Sequence, residues 1–96
     1  MNLHLQDKAV LVFASSGGIG RGVATEFARE GAKVMLFARS KDKLAATAEA
    51  IAAETGNRPL YTVGDLTDAA SVKGGIDRTV AEFGGASGIA LYGSGI

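Results

Sequence analysis

Short apolar runs of β-type residues alternate with stretches of helical period along this chain, and no other feature restricts its fold as strongly. Ala9–Phe13 is a continuous apolar run, the pattern of a parallel strand covered on both faces. Glycines follow at once. Ile19, Val23 and Phe27 then recur at helical spacing, with Ala24 and Ala28 widening the apolar stripe. Gly31 stands at the C-terminal cap position of that helix. Residues 33–37 read as a second strand. Ser40 is placed to cap a second helix that buries Leu44, Ala48, Ile51 and Ala52. Gly56 ends it, and the single Pro59 lies in the loop beyond. Leu60–Val63 is a third, shorter strand. Thr67 is expected to cap a third helix carrying Val72, Ile76, Val80 and Phe83 on one side, although Gly74 and Gly75 in its middle each cost about 1 kcal/mol relative to alanine. Residues 89–92 read as a fourth strand.

Strands alternating with helices imply right-handed crossovers and a parallel sheet, hence an α/β fold of partial Rossmann type (βαβαβαβ). The expected strand order is 3-2-1-4, one mononucleotide-binding half plus the first strand beyond the switch point. Ninety-six residues make one domain, so residues 1–96 are read as a half-domain, incomplete beside a full dinucleotide-binding sheet. A chain of this size buries only about 60 to 65% of the surface that its unfolded state exposes. Strands one and four are expected to leave apolar surface uncovered, and the outer edge of strand four to lack a partner. Self-association or a missing C-terminal half would cover them.

Composition narrows the function. Ten basic residues balance ten acidic ones, so there is no electrostatic reason to seek nucleic acid or an anionic membrane. No stretch approaches the roughly 20 apolar residues of a membrane helix. The first eight residues lack the basic start and apolar stretch of a signal peptide; the cytoplasm is simply the default expectation. Cysteine is absent, and with it disulfides, thiolate nucleophiles and thiolate metal sites.

The most informative segment is Phe13-Ala14-Ser15-Ser16-Gly17-Gly18-Ile19-Gly20. A strand that runs into glycines and then a helix lets backbone approach a diphosphate, while the helix N-terminus offers free amides and a positive dipole end. Ser15 and Ser16 add hydroxyl donors. The generic G-x-G-x-x-G spacing fits poorly: Gly18 and Gly20 supply two glycines, Val23 occupies the third slot, and Ala24 comes one place late. A tight turn that needs glycine and binds nothing is the plainer alternative. Three glycines within four residues at a strand end exceed what such a turn requires.

Here the chain resembles the short-chain dehydrogenases/reductases. Ala14 to Gly20 is similar to their T-G-x-x-x-G-x-G motif, with Gly18 and Gly20 at its last two glycines. Phe13 stands where the family has Thr and Ala14 at its first glycine, departures that imply weaker cofactor binding. Residues 21–34 are similar to the family's first helix and second-strand entry. Gly64-Asp65-Leu66-Thr67-Asp68 resembles its D-[LV]-T-D segment, which implies that Asp65 and Leu66 border an adenine ring. Tyr92-Gly93-Ser94-Gly95 occupies the place of the family's N-N-A-G, where only Gly95 matches. The likeness covers essentially the whole chain, strong from Lys8 to Phe83 and poor after Gly84. It implies binding of a nicotinamide dinucleotide through Ala14, Ser15, Ser16, Gly18, Ile19, Gly20, Arg39, Asp65, Leu66 and Gly95.

A domain that prefers NAD carries an acid about 20 residues beyond the glycines, at the end of the second strand. Ala38 occupies that place and Arg39 follows it. No carboxylate repels a 2'-phosphate there, and a guanidinium can pair with one through two hydrogen bonds. Ser16 can donate to the same phosphate. NADP is therefore expected, with NAD the alternative. Two features stand against it: relatives that prefer NADP often have a basic residue where Gly17 stands, and Arg39 also reads as a solvated loop residue.

The resemblance further implies carbonyl reduction through a Tyr-x-x-x-Lys pair on a later helix. Tyr61 is followed four residues on by Asp65 and Tyr92 by Ile96, so neither fits. No catalytic residue is assigned. His4 precedes the first strand, Asp65 and Asp68 suit a helix start better than a metal, and Lys41-Asp42-Lys43 is a solvated helix start. No metal ligand is assigned. Three readings remain: the nucleotide-binding portion of an NADP-dependent carbonyl/alcohol oxidoreductase, inactive alone; a stand-alone nucleotide-binding module; and an excised or engineered structural unit without a ligand. The degraded motifs after Gly84 favour the first.

Overall fold

The computed structural model describes residues 8–13, 18–83 and 90–93. In chain order the elements are β1 (Ala9–Phe13), α1 (Gly18–Arg29), β2 (Lys33–Ala38), α2 (Lys41–Thr55), β3 (Leu60–Val63), α3 (Ala69–Phe83) and β4 (Ala90–Gly93). The first and third strands have their expected bounds. β2 runs one residue further, to Ala38, and the described fourth strand ends at Gly93. The fold is α/β and Rossmann-like, with β2 central in a parallel sheet. It pairs with β1 from Ala9 opposite Lys33 to Phe13 opposite Phe37, and with β3 from Met35 opposite Leu60 to Ala38 opposite Val63.

Alternation along the strands splits the core into two layers. Val10, Val12, Val34, Leu36 and Ala38 pack with Ala24, Ala28, Leu44, Ala48 and Ile51 under α1 and α2. Leu11, Phe13, Met35 and Phe37 face the other way, against Leu60, Val72, Ile76 and Phe83. β1 is therefore buried on both sides along its whole length. This corrects the expectation that it leaves apolar surface bare: α3 folds back over the face that α1 does not cover.

Each helix shows what local signals decide. Gly31, at φ 88°, ends α1: its N–H donates to the Ala28 carbonyl and that of Ala32 to the Phe27 carbonyl, the paired bonds of a Schellman cap. Gly56, at φ 79°, closes α2 with one bond to the Ala52 carbonyl, and Ser40 Oγ accepts the Lys43 N–H at its start. The expected buried side of α2 needs one correction. Ala52 is half-buried, and Thr47 is buried in its stead. In α1 the deeply buried positions are Ala24 and Ala28, while Val23 and Phe27 are half-buried; small side chains bring the helix close to the sheet.

α3 departs further from expectation. It begins at Ala69, and Asp68 rather than Thr67 acts as its cap, with Oδ1 accepting the Ala70 N–H and the carbonyl accepting the Val72 N–H. Thr67 is engaged with Asp65 instead. Val80 is only half-buried; Gly75 and Thr79 are the buried residues. A methyl at Gly75 would lie 2.7 Å from two ring carbons of Phe37, whereas one at Gly74 meets nothing within 4 Å. Gly75 is the flat spot on which the Phe37 ring rests.

Candidate functional site

In a parallel sheet every strand ends on the same edge, and the register puts the ends of β1, β2 and β3 side by side: Phe13 is opposite Phe37, and Ala38 opposite Val63. Three segments leave that edge together. They are the start of α1 at Gly18, Arg39 after β2, and residues 64–68 after β3. Ligands of open α/β sheets bind beyond this carboxyl edge.

The first four amides of a helix have no acceptor within it, and the first turn of α1 carries no acidic residue. Its positive dipole end therefore meets no carboxylate from its own turn. Gly20 is buried in that turn. Arg39 is exposed, directly after the last residue of β2.

The loop after β3 is held by its own hydrogen bonds. The Gly64 N–H donates to the Ala38 carbonyl at 2.9 Å, and the Asp65 N–H to Ser71 Oγ at 2.8 Å. Asp65 Oδ1 accepts the Thr67 N–H at 2.9 Å and the Thr67 hydroxyl at 2.8 Å. The backbone donor, then the hydroxyl, hold the Asp65 carboxyl below the usual carboxylate range, with a smaller contribution from the Arg39 charge. Arg39 and Asp65 thus feel each other across the strand ends. Leu66, beside Asp65, and Val63 are the large apolar residues left exposed among those described.

Of the expected dinucleotide contacts, Gly18, Ile19 and Gly20 form the first turn of α1, and Arg39, Asp65 and Leu66 lie along the same strand-end edge. Ala14, Ser15, Ser16 and Gly95 lie outside the described residues. Sequence reasoning missed the support beneath Asp65. A methyl at Gly64 would fall 2.3 Å from Phe37 Cζ and 2.6 Å from Ser71 Oγ, so the loop turns only because residue 64 has no side chain. Phe37, close against both Gly64 and Gly75 and edge-on to Phe13 at 5.2 Å, aligns β2, the loop and α3. The only signal for this in the sequence is a glycine in mid-helix, where propensity opposes it.

Among the described residues, no group of three His, Cys, Asp or Glu is placed to hold a metal, and no helix is long and apolar enough to cross a membrane. Tyr61 lies in β3 and packs against the α2 side of the core.

The fold and this edge define a Rossmann-like α/β protein. The short chain dehydrogenase family model matches residues 8–92. The chain belongs to the short chain dehydrogenase family. It is 37% identical over 86 residues to 11-beta-hydroxysteroid dehydrogenase-like 2 of Arabidopsis thaliana, covering 86% of this chain and 28% of that protein. It is 37% identical over 78 residues to glucose 1-dehydrogenase of Gluconobacter oxydans, covering 81% and 29% respectively. Among solved structures, L-sorbose reductase from Gluconobacter frateurii, complexed with NADPH and L-sorbose, superposes with a TM-score of 0.82 at 32% identity, covering 90% of this chain and 33% of that one. The chain thus spans about a third or less of the length of these relatives.

Proposed function

We propose that this chain is the NADP-binding portion of an oxidoreductase that interconverts carbonyls and alcohols, and that it performs no chemistry alone. The observation that carries the cofactor reading is the end of β2, where the strand closes on Ala38 and an exposed Arg39 follows. A carboxylate at this place would hold ribose hydroxyls and repel a 2'-phosphate; a guanidinium does the reverse. NADPH in the related L-sorbose reductase supports the assignment.

The residues present fit the group. Gly18, Ile19 and Gly20, with Ala14, Ser15 and Ser16 before them, would hold the diphosphate at the carboxylate-free start of α1. Arg39 would pair with the 2'-phosphate, with Ser16 donating beside it. Asp65, kept ionised by Thr67, would accept from the adenine amino group, and exposed Leu66 would lie against the ring. Gly95, the one match to the family's N-N-A-G, would add a further cofactor contact. When bound, the nicotinamide supplies the redox chemistry; these residues bind and orient it.

The full sheet order 3-2-1-4 is part of this reading. It is supported by the parallel register of β4 on β1, with Val10 opposite Ala90 and Phe13 opposite Gly93. On that order residues 1–96 form one wall of the crevice at the switch point. A further half of the fold, or a second copy, would form the other wall. Inactivity of the chain alone is supported by its tyrosines, neither of which is followed four residues on by lysine.

Calorimetric titration with NADPH and NADH, beside a ketone-reduction assay, tests the proposal. NADPH should bind tighter. Arg39→Ala should weaken NADPH about 10- to 150-fold, the loss of a charge-assisted pair worth roughly 1.5 to 3 kcal/mol, and leave NADH unchanged. The assay should be blank. Tighter NADH, or unaltered NADPH affinity in Arg39→Ala, would overturn the NADP assignment.

A further inference from the structure

Backbone direction along β3 shows which of its groups face outward. The Gly64 N–H points inward, to the Ala38 carbonyl of β2. Backbone groups alternate sides along a strand, so Pro59, Tyr61 and Val63 present theirs to the outer edge, where the described sheet has no further strand. Such an edge is a template for strand addition.

Two features blunt it. Pro59 has no N–H to offer. Arg78, projecting from α3, donates Nη1 to the Tyr61 carbonyl at 2.5 Å and to the Thr62 hydroxyl at 3.1 Å. α3 covers one face of the sheet and α2 the other, so Arg78 reaches across the edge itself. It also borders a groove of about 470 Å³ with Ala45, Ala48, Arg58, Leu60 and Tyr61, which draws its lining from α2, β3 and α3 together. That groove is where an added strand would lie.

We propose that Arg78 is an edge guard that keeps β3 from adding a strand, and that without it β3 pairs with β3 of a second copy. The second copy is the fitting occupant because the exposed edge is self-complementary. Val63 keeps both an N–H and a carbonyl facing outward, Val63 is 48% exposed, and two such strands related by a two-fold axis pair antiparallel with one isologous contact. The sheet would then run continuously through both molecules.

Arg78→Met removes the donors and keeps an apolar stem against the strand. Its mean mass in light scattering should rise towards twice that of the parent at a concentration where the parent's mass does not change. Adding Val63→Lys should restore the parental mass, because a charge on the edge opposes pairing. A labelled peptide copying residues 58–65 should bind Arg78→Met and not the parent. Unchanged mass in Arg78→Met, association that Val63→Lys leaves intact, or peptide binding to the parent chain would each overturn the proposal; the last needs no variant.

Discussion

Alanine at Gly74 and at Gly75 should shift stability in opposite directions, although the two sites adjoin in one helix. Propensity alone favours alanine over glycine by about 1 kcal/mol at each. Gly74 is exposed and a methyl there touches nothing within 4 Å, so Gly74→Ala should keep the full gain. At Gly75 the new carbon would sit 2.7 Å from Phe37 Cδ2 and Cε2. Phe37 is wholly buried, also lies close against Gly64, and is edge-on to Phe13, so the ring has little room to retreat. Overpacking of this kind costs about 1 to 3 kcal/mol. Set against the propensity gain, that leaves Gly75→Ala less stable than the parent by about 1 kcal/mol and separates the two variants by about 2 kcal/mol. At about 4 to 8 °C per kcal/mol for a domain of this size, Tm should differ by roughly 10 °C, with a matching difference in urea midpoint at constant m. Phe37→Leu in the Gly75→Ala background should recover part of the loss, read as a coupling energy in a double-mutant cycle. Equal stabilisation by both alanines would refute the wedge of Phe37 against α3.

Three further outcomes follow from the geometry. Asn57 Nδ2 donates to the Ala28 carbonyl at 3.1 Å and the Ala32 carbonyl at 2.7 Å, tying the loop after α2 to the end of α1; Asn57→Ala should cost about 1 to 2 kcal/mol in chemical denaturation, and a neutral result would remove this tie from the account. Asp65 should titrate below the usual carboxylate range in a carbon-detected pH series, and Thr67→Val, which removes the hydroxyl and keeps the N–H, should bring it partway back up. A carboxyl lowered by folding stabilises above its ordinary pKa, and the contribution fades as pH falls through the lowered value; the parent should therefore lose stability on acidification in that window, and Thr67→Val should lose less. Arg29 bonds Glu26 in its own helix and Glu54 of α2, the latter at 2.7 Å, all on exposed side chains; Arg29→Ala should cost less than about 1 kcal/mol and less still in high salt.

The amino-acid sequence alone determined what depends on near neighbours. β1 was legible because a parallel strand buried on both faces reads as an unbroken apolar run, and β3 because a short run of β-type residues follows the loop of Pro59. The ends of α1 and α2 were legible because Gly31 and Gly56 adopt a left-handed backbone and Ser40 caps within three residues. Gly18, Gly20 and Arg39 were nameable from their places after strand ends, whereas Asp65 and Leu66 were nameable only through the resemblance to the short-chain dehydrogenases/reductases. Contacts between elements decided the rest. Thr67 and Asp68 are both competent caps, and the choice fell to Asp68 because Thr67 is held by Asp65 in the loop that Gly64 and Ser71 anchor. Thr47 and Thr79 are buried while Ala52 and Val80, which periodicity favoured, are half-buried, because packing against the sheet sets the rotation of each helix about its axis. Gly75 costs helix propensity and is explained only by the Phe37 ring, 38 positions earlier in the chain. Arg78 reads as one more solvated charge until folding carries it across the edge of β3. Periodicity and capping act over a few residues and are written in the sequence; steric fit between distant segments exists only once the chain has brought them together.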